Sequence, residues 1–273
     1  MNDIPEHVKW LVDTKERLKT ADGKTVEIWE FLHQKDDAVL SAWAKHFRNH
    51  YCSDSSIDDE RYPRSRAEYL RDAIFPDTHE FPGPITRSGD FGEILVADFF
   101  EFVMGFWVPR VRYKDKPKRN SSTQGSDMLG FKILGKKASP DDILIVAEAK
   151  AQFTGKIMDS KLQEAVDHSI KDKIRKGDSF NWIKRRVLRE ALPQEKEDFK
   201  SRLERFQTPV DLPYREWSGA VALVSRSIYD PSVIQTTHTE HHPNTDNLIL
   251  VIIRGNSMME LVHELYKRAA DEA

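Results

Sequence analysis

The sequence predicts an α/β fold with a mixed central β-sheet flanked by helices, and three observations carry that expectation. A helix-like segment at 90–104, apolar almost all round, is followed by strand-like runs at 106–113, 127–134 and 143–152. Two further apolar β runs, 220–224 and 248–253, return after a charged stretch, and a helical segment at 258–270 comes last. Strand-length and helix-length apolar patterns alternating in this way imply a sheet covered by helices.

Residues 1–80 read mostly as helices with polar connections. Leu40, Trp43, Ala44 and Phe47 form a helical stripe within 38–50, and 66–74 is a second helix stopped by Pro76. Pro82 and Pro84 mark a boundary, giving a mainly helical N-terminal region, 1–84, and a second unit, 85–273. Ser88 is placed to cap the helix at 90–104, which should be buried. Pro109 makes 106–113 an edge strand or a broken one. A helix follows at 158–175, and a charged helical insertion is expected near 176–212.

Composition sets outer bounds. One cysteine, Cys52, excludes an intrachain disulfide and suits a reducing, cytoplasmic setting. No window of about 18 apolar residues suggests a membrane helix, and charges among the first nine residues do not fit a signal peptide. No Gly-rich phosphate loop ending in Lys-Ser/Thr is present, so no nucleotide cofactor is expected.

The chemistry gathers at the end of one strand. Ile143 to Ala147 is an uninterrupted apolar run, as in an interior strand, and it leads into Glu148-Ala149-Lys150-Ala151-Gln152. Alternation puts Glu148, Lys150 and Gln152 on one face, where a buried charge is costly without a purpose. Acid-x-Lys alone is a weak signal, since the chain has five instances, but only this one ends a buried strand. The preceding strand opens with Asp127. If residues 135–140 form a hairpin loop, opposed residues have numbers summing to 275, and Asp127 falls opposite Glu148. Two carboxylates so close repel unless a divalent cation joins them. Asp142, about 20 Å from Glu148 along the strand, cannot share that ion. Glu93 interrupts the apolar helix and is a third acid for the site, binding metal directly or through water, or else it complements the helix dipole. Gln152 either contacts phosphate or water or closes the strand end by a hydrogen bond.

The near-neutral total of 42 Lys and Arg against 45 Asp and Glu conceals two cationic segments. Arg110, Arg112, Lys114, Lys116, Lys118 and Arg119 face only Asp115, and they lead toward Asp127; a phosphate path is expected there. Residues 171–189 are also basic and are interrupted by Phe180 and Trp182, which suits base stacking, a partner surface or a solvated helix face. His238, His241 and His242 lie in a polar loop that lacks zinc-site spacing, and Cys52 reads as structural.

Asp127, Glu148-x-Lys150 and Glu93 resemble the PD-(D/E)xK nuclease superfamily over about 88–227, although Ser126 stands where the family usually has proline. That resemblance implies a restriction-endonuclease-like core in which the acids and the Ala149 carbonyl hold Mg²⁺, with Mn²⁺ as a substitute, and Lys150 orients or activates water. Trp43, His46-Phe47-Arg48-Asn49-His50-Tyr51-Cys52, Glu68-Tyr69-Leu70, Ile74-Phe75-Pro76 and Gly89-Asp90-Phe91-Gly92-Glu93 resemble the HamA/AbpA family of bacterial anti-phage proteins. The resemblance implies a nuclease subunit of a Hachiman or AbpAB-type system, acting on DNA beside a superfamily 2 helicase. The alternatives are a nuclease-like DNA-binding or helicase-regulating subunit without catalysis, and a restriction-type endonuclease.

Overall fold

The computed structural model describes residues 3–273 apart from 115, 117 and 122–124, and leaves the side chains of 172–175 undescribed. Six strands form one sheet: β1 (Leu11–Lys19), β2 (Thr25–Phe31), β3 (Met128–Lys132), β4 (Ile143–Gln152), β5 (Arg215–Ser225) and β6 (Leu248–Gly255). Their spatial order is β1-β2-β6-β5-β4-β3. The four inner strands run parallel, and an antiparallel strand sits at each edge. The expected mixed sheet is therefore present.

The helices are α1 (Asp37–Tyr51), α2 (Asp54–Glu60), α3 (Arg66–Tyr69), α4 (Gly83–Asp98), α5 (Lys161–Ser169), α6 (Asp172–Glu190), α7 (Lys196–Glu204), α8 (Pro231–Gln235) and α9 (Met258–Asp271). On one face of the sheet, α1, α4 and α9 bury Trp43, Phe47, Phe91, Leu95 and Leu265 against Ile145, Ala147, Val221 and Val251. On the other, α5 seats Leu162, Ala165 and Val166 on Ala220, Ala222 and Ile252, while α6 and α7 bring Phe180, Ile183 and Leu203 onto Leu129, Phe131, Leu144 and Val146. Small residues allow the close approach of α4's end to the sheet. A Cβ at Gly219 would stand 2.8 Å from Ala147 Cβ and 3.1 Å from Phe100 Cζ.

Several elements differ from expectation. Residues 11–31 are not helical but form the β1–β2 hairpin, which joins the sheet beside β6. β1 is polar on most positions and bulges between Asp13 and Arg17, with Lys15 at φ +63°, so it lacks the apolar alternation of a strand. Residues 106–113 make only an isolated bridge, Trp107 with Phe131, because Pro109 removes a donor. The central helix starts at Gly83 with Pro84 in its first turn, not near Asp90, and ends in a π-helical turn over Phe99–Val103. The helix expected at 158–175 is divided into α5 and α6.

Candidate active site

The site is built at the carboxyl end of β4. β3 and β4 pair antiparallel from Met128↔Ala147 to Lys132↔Ile143, which is the register expected from the hairpin. One residue beyond that ladder, Asp127 stands against Glu148. Leu129 and Phe131 share a buried cluster with Leu144 and Val146, and that cluster fixes the face on which both acids fall. Asp127 Oδ2 accepts the Ala149 N–H at 3.0 Å, tying the two strand ends together. Lys150 Nζ donates to Glu148 Oε1 at 3.0 Å, and His168 Nδ1, from the last turn of α5, lies 3.4 Å from the same oxygen.

Glu93 reaches the site from α4. Because that helix begins at Gly83, Glu93 stands about three turns inside it, too deep for interaction with the N-terminal dipole to explain its charge. Its Oε2 accepts from Arg112 Nε at 2.7 Å and from the Tyr113 hydroxyl at 2.5 Å. Arg112 also donates from Nη2 to Asp127 Oδ1 at 2.7 Å, and from Nη1 to the Ser126 carbonyl. One guanidinium thus joins the acid of the helix to the acid of the strand.

Burial pushes the Asp127 carboxyl up to about 6; Arg112 opposes the rise and Glu148 adds to it. Glu93 is raised as well, by burial and then, against the pull of Arg112, by Asp127. Burial opposes the Lys150 charge, but Asp127 and Glu148 outweigh it and leave that pKa above its ordinary value. The lysine therefore remains protonated beside the acids.

Gln152 does not face the site with a free amide. Its Nε2 donates to the Ile157 carbonyl at 2.9 Å and its Oε1 accepts the Asp159 N–H at 2.8 Å, so it closes the loop after β4. Asp142 is equally committed, accepting the N–H groups of Leu134 and Ser139 and pairing with Arg205 at 2.7 Å.

The first basic segment, where a phosphate path is expected, has most of its cations paired with carboxylates. Arg110 binds Asp98 and Glu101, Arg112 binds Glu93 and Asp127, and Lys114 binds Glu190. Lys116 binds Asp90 and Arg119 binds Asp77, whereas Lys118 is exposed. Asp115 lies outside the described residues. In the second segment Phe180 is core and not a stacking platform, whereas Trp182 is partly exposed beneath Arg186. The side chains of Lys173 and Arg175 lie outside the described set.

Sequence reasoning missed His168 and Tyr113. The buried stripe Leu162, Ala165, Val166 and Ser169 fixes how α5 lies on the sheet, and His168 flanks it; that was the available signal. A separate buried group also went unnoticed. His7 and His46 each donate from Nε2 to Asp98 at 3.0 Å, and these three alone among the described residues bring such ligand atoms within 4.8 Å of one another. Arg110 also pairs with Asp98 at 2.9 Å, so the Asp98 charge already has a cationic partner. His242 is buried against Ser169, and the Cys52 thiol is pushed up to about 12 by burial, consistent with structural roles for both.

No helix among the described residues is long and apolar enough to cross a membrane. No curated protein matches the chain. A family model described as HamA matches residues 6–269, a span that takes in all six strands, the Glu93 helix and the Asp127, Glu148 and Lys150 strand ends. Over nearly its whole length, the chain belongs to the HamA family.

Proposed function

We propose that the chain is a divalent-metal-dependent DNA nuclease, the effector subunit of a two-component anti-phage system that works with a superfamily 2 helicase. HamA membership supports the Hachiman defence role. The observation that carries the enzymatic reading is the strand-end set: Asp127 set against Glu148, with Lys150 bonded to Glu148 at 3.0 Å.

Asp127, Glu148, Glu93 and the Ala149 carbonyl are hard oxygen donors, whose chemistry suits Mg²⁺ or Mn²⁺, although the oxygens of the three acids do not all lie within 4.8 Å of one another, so an ion would have to draw them together. Bound there, such an ion polarises a phosphodiester and lowers the pKa of an attacking water. Asp127 is oriented by the Ala149 N–H on its Oδ2, which leaves its Oδ1 to Arg112. Lys150, bonded to Glu148 at 3.0 Å, is placed to orient or activate the attacking water and to offset negative charge developing on the phosphate. Glu148 fixes the lysine in place.

Purified chain, alone and with its helicase partner, should degrade DNA only with Mg²⁺ or Mn²⁺. Glu148→Ala or Lys150→Ala should reduce cleavage by at least about 10²-fold with unchanged circular dichroism. Metal-dependent cleavage surviving in both variants would sink the reading. A non-catalytic helicase-regulating subunit is the second reading, and the internal pairing of the first basic segment favours it because few of those cations are left for phosphate. A restriction-type endonuclease would instead leave discrete products.

A further inference from the structure

Arg112 is the most fully engaged side chain of the site. The Nε and Nη2 edge of its guanidinium takes one oxygen from Glu93 and one from Asp127, each at 2.7 Å, while Nη1 holds the Ser126 carbonyl. The arginine and both acids are largely buried, at 14, 15 and 9 % side-chain exposure. A divalent cation bonded to those two oxygens would compete for them with that edge.

From this geometry we infer that Arg112 is an exchangeable counter-ion of the acid cluster, and that a divalent cation gains Glu93 and Asp127 only by displacing it. The inference rests on the metal-site reading above and names what regulates loading of that site. Charge accounting supports it. Three carboxylates surround the fixed charges of Arg112 and Lys150, leaving about one negative charge when all are ionised. A divalent ion added with the guanidinium still in place would reverse that sign inside a buried site, which is costly. A phosphodiester arriving with the ion restores the balance, and its oxygens offer the displaced fork the same planar, charge-assisted bonds a carboxylate does. Metal and phosphate would then load together, with Arg112 passing from acid to phosphate. Tyr113, which donates to the same Glu93 oxygen, remains to hold that acid when the arginine leaves.

The test reads Mn²⁺ binding by isothermal titration, on the full chain without DNA, for wild type, Arg112→Lys and Arg112→Gln. The expected result is affinity at least about tenfold tighter in Arg112→Gln, with Arg112→Lys between the two. Equal or weaker Mn²⁺ binding in folded Arg112→Gln overturns the inference while leaving the metal site standing. Absence of Mn²⁺ binding in both the wild type and the folded variant overturns the metal-site reading and the inference with it. Should Arg112→Gln not fold, the wild type gives the answer by nuclear magnetic resonance. Mg²⁺ should shift the Arg112 Nε–H resonance toward rapid solvent exchange, and a resonance that stays protected as Mg²⁺ binds overturns the inference.

Discussion

Asp90, one helical turn before Glu93, shows how a single buried acid sets a pH dependence. It accepts from the Tyr51 hydroxyl at 2.8 Å and from Lys116 at 2.7 Å, yet burial outweighs these partners and raises its pKa from 3.8 to about 7. An acid that binds its proton more tightly when folded favours folding in the protonated form. That contribution is complete below about pH 4 and fades as the pH climbs toward 7. Asp90→Asn stays neutral throughout. Its thermal midpoint should therefore gain on that of the wild type between pH 4 and 7, whatever the constant offset from losing the carboxylate, and parallel curves for the two proteins would contradict the assignment. The partners at this scale show what a count of local charge leaves out. Lys116 meets Asp90 and Lys114 meets Glu190, 26 and 76 residues away in sequence, so a local count of charge had no access to the pairing.

At the scale of elements, the β3–β4 hairpin was the most legible part of the chain. A continuous apolar run, a short polar loop and strict alternation fix its register, and the register places Asp127 and Glu148. The same hairpin contains the acid that looks catalytic by proximity to a Pro-Asp pair. Asp142 is fully buried and pairs with Arg205 just beyond α7, itself only 7 % exposed. Removing it in Asp142→Ala strands a buried guanidinium and should cost about 3–5 kcal/mol in urea unfolding, while the surviving folded fraction keeps its metal-dependent activity. Comparable loss of activity per folded molecule would show that the two ends of β4 are coupled. Other elements were less legible for physical reasons. β1 is an edge strand with a bulge and few apolar positions, so its strand character depends on pairing with β2 and not on its own pattern. His168 flanks the buried stripe of α5, but its approach to Glu148 on β4 comes from packing between two elements and not from the stripe alone.

For the molecule as a whole, the first hairpin and the last strand complete one another. Phe31 and Trp10 pack with Trp43 of α1, so residues 3–36 seal one end of the core as well as one edge of the sheet. Deleting residues 1–36 should expose β6 as a long apolar edge, and size-exclusion chromatography should find aggregate in place of monomer. A well-behaved truncated chain would refute the structural role given to the hairpin. The placement of β6 has a further consequence for how the protein is made. It is the last strand in sequence yet lies inside the sheet, between β2 and β5. The amino-terminal hairpin waits for a partner more than 200 residues downstream, so a chain still emerging from the ribosome cannot close its sheet. Folding should be slow for the size of the chain, because so much of the pairing is non-local. Prematurely terminated products would lack the inner strand that braces β5 and, through it, the strand carrying Glu148 and Lys150. Synthesis itself thus withholds a finished site until β6 has been made.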